Sequence, residues 1–388
     1  MNPKKIGIVG TGPAALMAGT ILAENGFKVH FFDQKKAPAR KFLVAGHGGF
    51  NLTHSQQITD FIENYDKQII KTAVREYTNV DFQNFLDKIN IPTYTGSSGK
   101  IFPLKGIKPI DVLKNWLDYL KNKGAIFSMD NELVDFSGTS IVMRSKGQDR
   151  TFDFDSVIFA LGGASWSKTG STGKWLDLFR SKEIVCSTFE SSNSGFVLPI
   201  ASELVDFAGV SIKNCRLFSE RMQRMGDIVI TEYGIEGSPV YAMNWDYRSG
   251  NPIYVDFKPS LEEKEIIARM HKSKNSTDAL RQLKLSKGAI ALIKASLLKE
   301  EFTNLLELTK GVKKLKLSID CLRPLDEVIS TIGGIEPSQL TSDFELKSIP
   351  NVYCVGEMVD WDAPTGGFLI QGCVSSGAKA ARKIADQS

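Results

Sequence analysis

The first part of the chain alternates short apolar runs with stretches of helical character. Residues 6–9 and 29–32 are almost uninterrupted apolar runs, as expected of parallel strands that are buried on both faces. Between them, Pro13 suits the first turn of a helix, and Asn25-Gly26 favour a left-handed stop. The pattern therefore predicts a strand, a helix and a second parallel strand, which together form a βαβ unit.

This alternation continues to about residue 190, with a helix predicted over 110–121 and a strand over 156–161. Short alternating runs then predict antiparallel β structure at 195–200, 212–218, 227–232 and 252–257. Residues 261–310 are strongly charged and carry leucines at helical spacing, whereas residues 314–319 alternate again as a strand. The simplest organisation inserts a helical segment into a β domain, and inserts that pair into the first domain.

The C-terminal segment returns to the pattern of the first domain. Residues 351–357 form an apolar strand that ends in Gly356-Glu357, and residues 364–368 lead into a small-residue helix. The alternative is an ordinary packing helix that follows a glycine turn. We predict that both chain ends complete one domain. The predicted domain ranges are 1–193 with 325–388, 194–259 with 312–324, and 260–311.

A glycine-rich sequence lies where the first strand meets the first helix. Gly10 permits a tight turn, and Gly12 lets the backbone approach a pyrophosphate, to which the first helical amides would donate. Ala15 takes the place of a third glycine, and Asp33 follows the second strand, where a carboxylate accepts hydrogen bonds from a ribose diol. The alternative is a glycine-rich turn in an ordinary α/β domain, but the agreement of all these elements favours a dinucleotide site.

Composition narrows the class of protein. The chain has 388 residues, of which 42% are hydrophobic, so it can bury a large core. Its 48 basic and 44 acidic residues are too balanced to indicate nucleic-acid binding by themselves. The five cysteines are scattered without metal-ligand spacing, and we interpret them as small buried residues of a reduced cytoplasmic protein. The spacing of these cysteines gives no reason to expect a metal site. No apolar stretch is long enough to span a bilayer, so no membrane partner is expected.

Several motifs carry a family resemblance that covers nearly the whole chain. They are RKFLVAGHGGFNLTHS at 40–55, GSSGKIFP at 96–103, ALGGASW at 160–166 with TGSTG at 169–173, TEYGIEGSP at 231–239, TIGGI at 331–335, and the segment from Gly356 to Gly377. With these motifs the chain resembles the three-domain bacterial FAD proteins called NAD(P)/FAD-dependent oxidoreductases, which are related to BaiN and to aminoacetone oxidase. The GGFNLTHS loop is similar to that of one subfamily rather than the BaiN branch.

The resemblance implies an α/β fold in which a Rossmann-like FAD-binding domain, of the two-dinucleotide-binding-domain flavoprotein type, carries an inserted antiparallel β-barrel-like domain with its own helical insert. It also implies the residues that bind FAD. Those expected at the pyrophosphate and ribose are Gly10, Gly12, Pro13, Ala14, Ala15, Asp33 and Gln34, with Arg40 and Lys41 at the diphosphate. Asp33 is shorter than the glutamate that is usual in FAD enzymes, but it keeps the acceptor oxygens.

Other expected positions lie near the flavin ring and the ribityl chain. The loop from Gly46 through Gly48 and Gly49 should pass the isoalloxazine, with Asn51 and Thr53 at the ring edge. The last helix should point its positive end at the ring. The residues expected to contact the cofactor from the remaining segments are Ala160, Gly162, Gly163, Gly356, Glu357, Asp360, Thr365, Gly366, Gly367 and Phe368. Gly162 and Gly163 are also expected to form the hinge at which the chain leaves the cofactor domain.

Two histidines flank the expected flavin loop. An imidazole at His47 or His54 would be able to move protons during the reaction. The alternative for each is a turn histidine bonded to the backbone, which is favoured for His54 and left open for His47. Glu236 departs from the serine found in the corresponding turn of many relatives, so no substrate contact is assigned to that turn.

The sequence contains no second G-x-G-x-x-G motif that opens a helix, so NAD(P)H would have to dock without one. Two reactions of an FAD enzyme with a small organic substrate are consistent with this sequence. In the first, NAD(P)H reduces the flavin, which then reduces an enone-like acceptor; in the second, a small amine reduces the flavin and oxygen reoxidises it. Substrate and oligomeric state are left open.

A competing hypothesis is a flavin-bearing binding protein, or an FAD protein that binds or acts on RNA. It rests on clustered lysines in the helical insert, namely Lys272, Lys274, Lys284, Lys287, Lys294 and Lys299. The same stretch contains several acidic residues, so a solvated surface of mixed charge is favoured, and nucleic acid is not the expected partner.

Overall fold

A computed structural model describes residues 3–44 and 49–387. The strands are β1 Lys5–Val9, β2 Lys28–Asp33, β3 Thr53–His54, β4 Thr93–Thr95, β5 Lys100–Pro103, β6 Ile126–Met129, β7 Glu132–Ser137, β8 Ser140–Ser145, β9 Gln148–Asp153, β10 Ser156–Phe159, β11 Cys186–Ser192, β12 Phe196–Val197, β13 Ser211–Phe218, β14 Gln223–Thr231, β15 Gly234–Glu236, β16 Tyr254–Asp256, β17 Leu315–Lys316, β18 Cys321–Leu322, β19 Ser330–Ile335 and β20 Val352–Cys354.

The α-helices of the described residues are α1 Pro13–Glu24, α2 Arg40–Val44, α3 Ile58–Phe61, α4 Gln68–Glu76, α5 Asn79–Lys88, α6 Pro109–Asn122, α7 Trp175–Ser181, α8 Ala201–Leu204, α9 Ser238–Ala242, α10 Asn244–Arg248, α11 Glu263–Met270, α12 Ser276–Gln282, α13 Lys287–Ser296, α14 Lys299–Thr303, α15 Leu305–Lys313 and α16 Phe368–Asp386. The chain divides into two compact units. One comprises the residues up to Glu190 with those from Thr331 onward, and the other comprises Ser191–Ser330.

The first unit is built on a five-stranded parallel sheet of order β20-β10-β1-β2-β6. Its central strands are apolar and buried, as a sheet covered on both faces requires. The C-terminal strand β20 pairs with β10, so the two chain ends meet in one sheet, as predicted. This pairing brings the carboxyl ends of β1, β2, β10 and β20 to the same edge, where α/β folds bind their ligands.

Two helices pack tightly against each other on this sheet. A Cβ at Gly377 of α16 would overlap the carbonyl oxygen of Ala14 in α1, so only glycine allows this separation. On the other side of α1, the indole N–H of Trp116 in α6 donates to the Thr20 hydroxyl at 2.9 Å. The opening helix is therefore fixed by α6 and α16, and its N-terminus has a defined position at the sheet edge.

The second unit holds a seven-stranded antiparallel sheet of order β17-β16-β13-β14-β15-β12-β18. Apolar residues of the sheet share one core with residues of the helices that follow it in sequence. Leu217, Ile230 and Val255 belong to the sheet part of this core, and Leu292 and Leu308 belong to the helical part. Strand and helix types are thus as the sequence predicts. The finer division into separate β and helical domains stays a prediction.

Some elements differ from the predictions. The strands predicted at 195–200 and 314–319 are reduced to β12 and β17, each of two residues. The antiparallel sheet β7-β8-β9 was not predicted; β9 is polar and largely exposed, and the buried apolar residues of the sheet are few, among them Phe136, Ile141 and Met143. The predicted hinge at Gly162 and Gly163 is wrong, since the first unit continues to Glu190 before the chain leaves it.

Candidate functional site

The loop after β1 leaves open space at the N-terminus of α1. Gly10 has φ of +107°, and a Cβ there would overlap the carbonyl oxygen of Ala160, so the turn requires glycine. Gly12 differs: its φ is −70°, and no heavy atom lies within 4 Å of the position a Cβ would take. The first turn of α1, which begins at Pro13, contains no acidic residue. The helix therefore presents free amide donors to an unobstructed space.

Asp33 lies at the end of β2, next to this loop. The Thr11 hydroxyl donates to Oδ2 of Asp33, and the backbone N–H of Lys35 donates to Oδ1 at 2.9 Å. Thr11 also accepts from the backbone N–H of Ala39 at 2.9 Å. Burial raises the pKa of Asp33, and the Thr11 hydrogen bond opposes that shift. Sequence reasoning missed Thr11, because only the fold shows that it orients the carboxylate.

The neighbouring Gln34 amide donates to the carbonyl oxygen of Gly170 at 2.7 Å, which ties the segment after β2 to the TGSTG motif. Arg40 is exposed, whereas Lys41 forms a 2.6 Å ion pair with Glu357. The side chains of this pair are 27% and 14% exposed, respectively. Two expected site residues that are more than 300 positions apart are thus joined.

The segment after β20 is tied to helices α1 and α16 and to strand β19. The N–H of Gly356 donates to the Ser376 hydroxyl at 3.0 Å, and a Cβ at Gly356 would lie 3.0 Å from the Cβ of Ala14. Asp360 accepts from the N–H of Gly333 at 2.8 Å through Oδ1, and Lys67 lies 3.9 Å from its Oδ2. Asp360 therefore ties the segment after β20 to β19.

The glycines that follow β10 also lie at this edge. The backbone of Gly163 contacts Thr331, whose hydroxyl accepts from the N–H of Ala164 at 3.2 Å. The Trp175 indole donates to the carbonyl oxygen of Gly162 at 2.9 Å. Thr331 belongs to the TIGGI motif, which sequence reasoning left without a role.

The start of α16 meets the segment that follows the expected flavin loop. Gly367 caps the helix with φ of +102°, and a Cβ there would lie 2.5 Å from the carbonyl oxygen of Thr53. The Thr53 hydroxyl donates to Oε1 of Gln371 at 2.8 Å, which was not predicted. A Cβ at Gly366 would lie 3.5 Å from Cε of Lys100, so a lysine of the GSSGKIFP motif lies beside this helix start. Phe368 is buried within α16.

The expected flavin loop is described only in part. Gly46, His47 and Gly48 lie outside the described residues. Gly49 has a positive φ, and its carbonyl oxygen accepts from the N–H of Asn51 at 2.9 Å. Of the remaining expected residues, Ala15 is buried in α1 and Thr365 directly precedes the two glycines at the start of α16.

His54 makes backbone hydrogen bonds. Its Nδ1 accepts from the N–H of Gln56 at 3.2 Å, and its Nε2 lies 3.0 Å from the carbonyl oxygen of Ser98, so Nε2 carries the proton. Its ring stacks on Phe368, with 5.2 Å between centroids. Burial lowers the pKa of His54; the hydrogen bond to the Ser98 carbonyl opposes this shift, and the nearby Lys100 adds to it. A neutral imidazole that fixes the loop suits this geometry.

In the second unit, the TEYGIEGSP motif forms β15 and the turn before α9. The Tyr233 hydroxyl donates to the Glu236 carboxylate at 2.7 Å, and the Arg323 guanidinium lies 4.1 Å from the centre of the Tyr233 ring. Glu236 is thus engaged within its own turn. Tyr233 and Glu236, with Val229, line a shallow depression of about 330 Å³.

In the part of the chain that the structure describes, every helix is either too short or too polar to cross a bilayer.

Comparison with known proteins agrees with this architecture. A family model described as "HI0933-like protein Rossmann domain" matches residues 4–383. The chain is 23% identical to the 3-dehydro-bile acid delta(4,6)-reductase of Clostridium scindens, with 99% of each chain covered. It is 20% identical to the ribosomal RNA dihydrouridine synthase of Escherichia coli, with 97% of each covered.

Solved structures show the same fold. A flavocytochrome c3 fumarate reductase superposes with a TM-score of 0.56 at 12% identity, covering 99% of this chain and 79% of that one. A 3-ketosteroid-delta4-(5alpha)-dehydrogenase from Rhodococcus jostii RHA1 gives a TM-score of 0.53 at 12% identity, with 97% of each covered. With the family model matching almost the entire chain, this protein belongs to the HI0933-like family of FAD-dependent oxidoreductases.

Proposed function

We propose that this protein reduces a carbon–carbon double bond conjugated with a carbonyl group, with FAD as its resident cofactor and NAD(P)H as its electron donor. The observation that carries the proposal is the kind of reaction for which two relatives are named, and both relatives align with this chain over nearly their full lengths. One is named for reduction of a 3-dehydro bile acid and the other for formation of dihydrouridine. The substrates differ, but both names denote the addition of two hydrogens to such a bond.

The strand ends of the first unit fit FAD. The open space at Gly12 and the free amides of α1 suit the diphosphate, and Asp33, oriented by Thr11, suits the ribose hydroxyls. Lys41 would add a cation beside the diphosphate, while Glu357 limits its movement. Arg40 is exposed and able to approach the same phosphates.

The start of α16 suits the pyrimidine side of the flavin. FAD supplies reversible two-electron chemistry at its N5 atom when bound. The helix has 19 residues and no acidic residue in its first turn. The positive end of its dipole lies at its N-terminus, next to Gly367. Gly366 and Thr365 would offer backbone groups to the ring edge, and Lys100 would add positive charge there. These groups favour negative charge on the ring.

The remaining roles are proposals from the sequence. Asn51 and the loop Gly46–Gly49 would line the ring, and His47 would supply a proton to the carbon next to the carbonyl group. The relation to aminoacetone oxidase, membership of the GGFNLTHS subfamily, and the cytoplasmic location also stay predictions.

An anaerobic titration tests the donor and the acceptor in one cuvette. We expect NADH or NADPH to bleach the flavin absorbance, and subsequent addition of a simple enone such as 2-cyclohexenone to restore it. Bleaching by a panel of small amines, together with no response to either nicotinamide, would contradict the proposed donor. Bleaching by a nicotinamide without recovery on any conjugated acceptor would contradict the proposed reaction.

A second candidate is reduction of uridine within RNA. It is favoured because the relatives from Escherichia coli and Haemophilus influenzae are both named ribosomal RNA dihydrouridine synthase. Mass analysis of nucleosides from an RNA transcript incubated with the protein and NADPH tests it. A gain of two hydrogens by uridine supports this candidate, and unchanged uridine under conditions that turn over an enone removes it.

A further inference from the structure

One face of the antiparallel sheet in the second unit carries aromatic and basic side chains in register. Phe218 of β13 is paired with Tyr254 of β16, and Tyr254 is paired with Lys316 of β17. Directly paired residues in an antiparallel sheet project from the same face. Arg216 lies two residues before Phe218 in β13, so it shares that face; its partners are Met225 in β14 and the buried Asp256 in β16. We call these residues, together with Lys314, the cationic sheet face.

The aromatic rings and the cations form a continuous stack. The rings of Phe218 and Tyr254 lie 5.4 Å apart between centroids, at 26° to each other. The Arg216 guanidinium lies 5.4 Å from the centre of the Phe218 ring, and the Lys314 ammonium lies 4.7 Å from the centre of the Tyr254 ring. Both rings are half-buried, whereas Lys314 and Lys316 are exposed.

This end of the sheet is strongly positive. The segments 211–231, 254–258 and 313–316 contain eight basic and three acidic residues, which gives a net charge of +5 where the whole chain has +4. Two of the three acidic residues are already neutralised: Asp227 pairs with Lys213 at 2.6 Å, and buried Asp256 pairs with both Arg216 and Lys313. The exposed charge that remains is therefore positive.

We propose that the cationic sheet face binds single-stranded RNA. Unpaired bases stack on aromatic rings, and their phosphates pair with neighbouring lysines and arginines. Because the lysine side chain is flexible, Lys314 can leave the Tyr254 ring when a base stacks there, and its ammonium then meets the adjacent phosphate. Charge complementarity selects a polyanion, and the stacked rings select one with exposed bases.

This surface differs from the lysines of the helical insert, which the sequence interpretation considered for RNA and which alternate with glutamates and aspartates. The inference concerns binding and does not rest on the proposed reaction. A protein that reduces only small enones would still bind RNA here, and a protein without reductase activity would do the same.

Fluorescence anisotropy with the FAD-loaded protein and a labelled 12-nucleotide oligouridine tests the inference. We expect Tyr254→Ala to weaken binding by about tenfold or more, whereas Tyr254→Phe binds like the unaltered protein. Replacing Lys314 and Lys316 together by glutamine should lower the slope of log K against log salt by roughly 1.4, because two phosphate contacts are lost.

Tyr119→Ala is the matched control. Tyr119 lies in the first unit and also has two lysine ammonium groups, at 5.5 and 5.8 Å from its ring centre, so it tests whether any tyrosine between lysines has the same effect. Retained FAD and an unchanged melting temperature establish that each variant is folded. The inference is overturned if oligouridine does not bind at low salt, if Tyr254→Ala and Tyr119→Ala behave alike, or if duplex RNA of equal length binds as tightly.

Discussion

Replacing Gly12 separates the fold of the first unit from its binding of FAD. Since no heavy atom lies within 4 Å of the position of the new Cβ and φ is −70°, the Cβ of alanine or valine fits without overlap or backbone strain. Exchanging glycine for a residue that is poor at a helix N-cap costs about 1 kcal/mol or less. The added carbons nevertheless occupy the space that the proposal gives to the diphosphate. We expect Gly12→Val to fold normally and to lose FAD.

Gly10→Ala serves as the contrasting variant. Its φ of +107° disfavours any side chain, and the new Cβ would overlap the carbonyl oxygen of Ala160. Backbone strain of this kind costs roughly 1–3 kcal/mol before the overlap is added. Gly10→Ala should therefore lower the stability of the flavin-free protein, whereas Gly12→Val should not.

The assay compares flavin-free proteins, because bound FAD itself stabilises the folded state. A ligand at one hundred times its dissociation constant adds about 2.7 kcal/mol to the free energy of unfolding. Urea unfolding of each flavin-free variant gives its stability, and titration with FAD, followed by flavin fluorescence, gives its affinity. Wild-type FAD affinity in Gly12→Val refutes the assigned diphosphate site. Loss of FAD that merely follows unfolding of Gly12→Val refutes the claim that the site is sterically open.

Two further predictions concern the charged residues of the site. Lys41→Met leaves the partly buried Glu357 carboxylate without its cation, so we expect a stability loss of about 1–2 kcal/mol and weaker FAD binding. Adding Glu357→Gln should restore stability in urea but not FAD affinity, and recovery of both would contradict a role for Lys41 at the diphosphate. Because burial raises the pKa of Asp33 above 3.8, the folded state binds this proton more tightly than the unfolded state, and the ionised carboxylate costs stability at neutral pH. The flavin-free Asp33→Asn variant should therefore be more stable than the parent at pH 7, and this difference in stability should vanish as the pH falls below 3.8. A difference that stays constant, or that grows as the pH falls, would contradict a raised pKa of Asp33.

The nucleotide-binding half of the fold is predictable because its signals are local. The turn at Gly10, the helix start at Pro13, the stop at Gly26 and the acid at Asp33 lie within one short segment, and the structure has the predicted strand, helix and strand there. The return of β20 to the same sheet was also predictable, since a continuous apolar strand that ends in glycine matches the buried parallel strands of the first domain.

The residues that organise the site were less accessible to sequence reasoning. Thr11 bonds Asp33, Gln371 bonds Thr53, and Thr331 contacts Gly163, and each pair is joined by folding rather than by spacing. The strands β7–β9 combine exposed polar positions with a few buried apolar ones, such as Ile141 and Met143, and this mixed pattern is weaker than that of the fully buried parallel strands.

The cationic sheet face is another feature that the sequence pattern alone does not reveal. Phe218 and Tyr254 are 36 positions apart in the sequence and become neighbours only through strand register. The lysine-rich helical insert, in contrast, attracts attention in the sequence because its charges fall within one continuous segment, 261–310.

The measurement that tests the central claim most directly is the identity and amount of flavin released when the purified, folded protein is denatured. The account predicts FAD at one molecule per chain, either as purified or after incubation of the flavin-free protein with FAD. A folded protein that remains colourless after that incubation, or that releases only FMN, would contradict it.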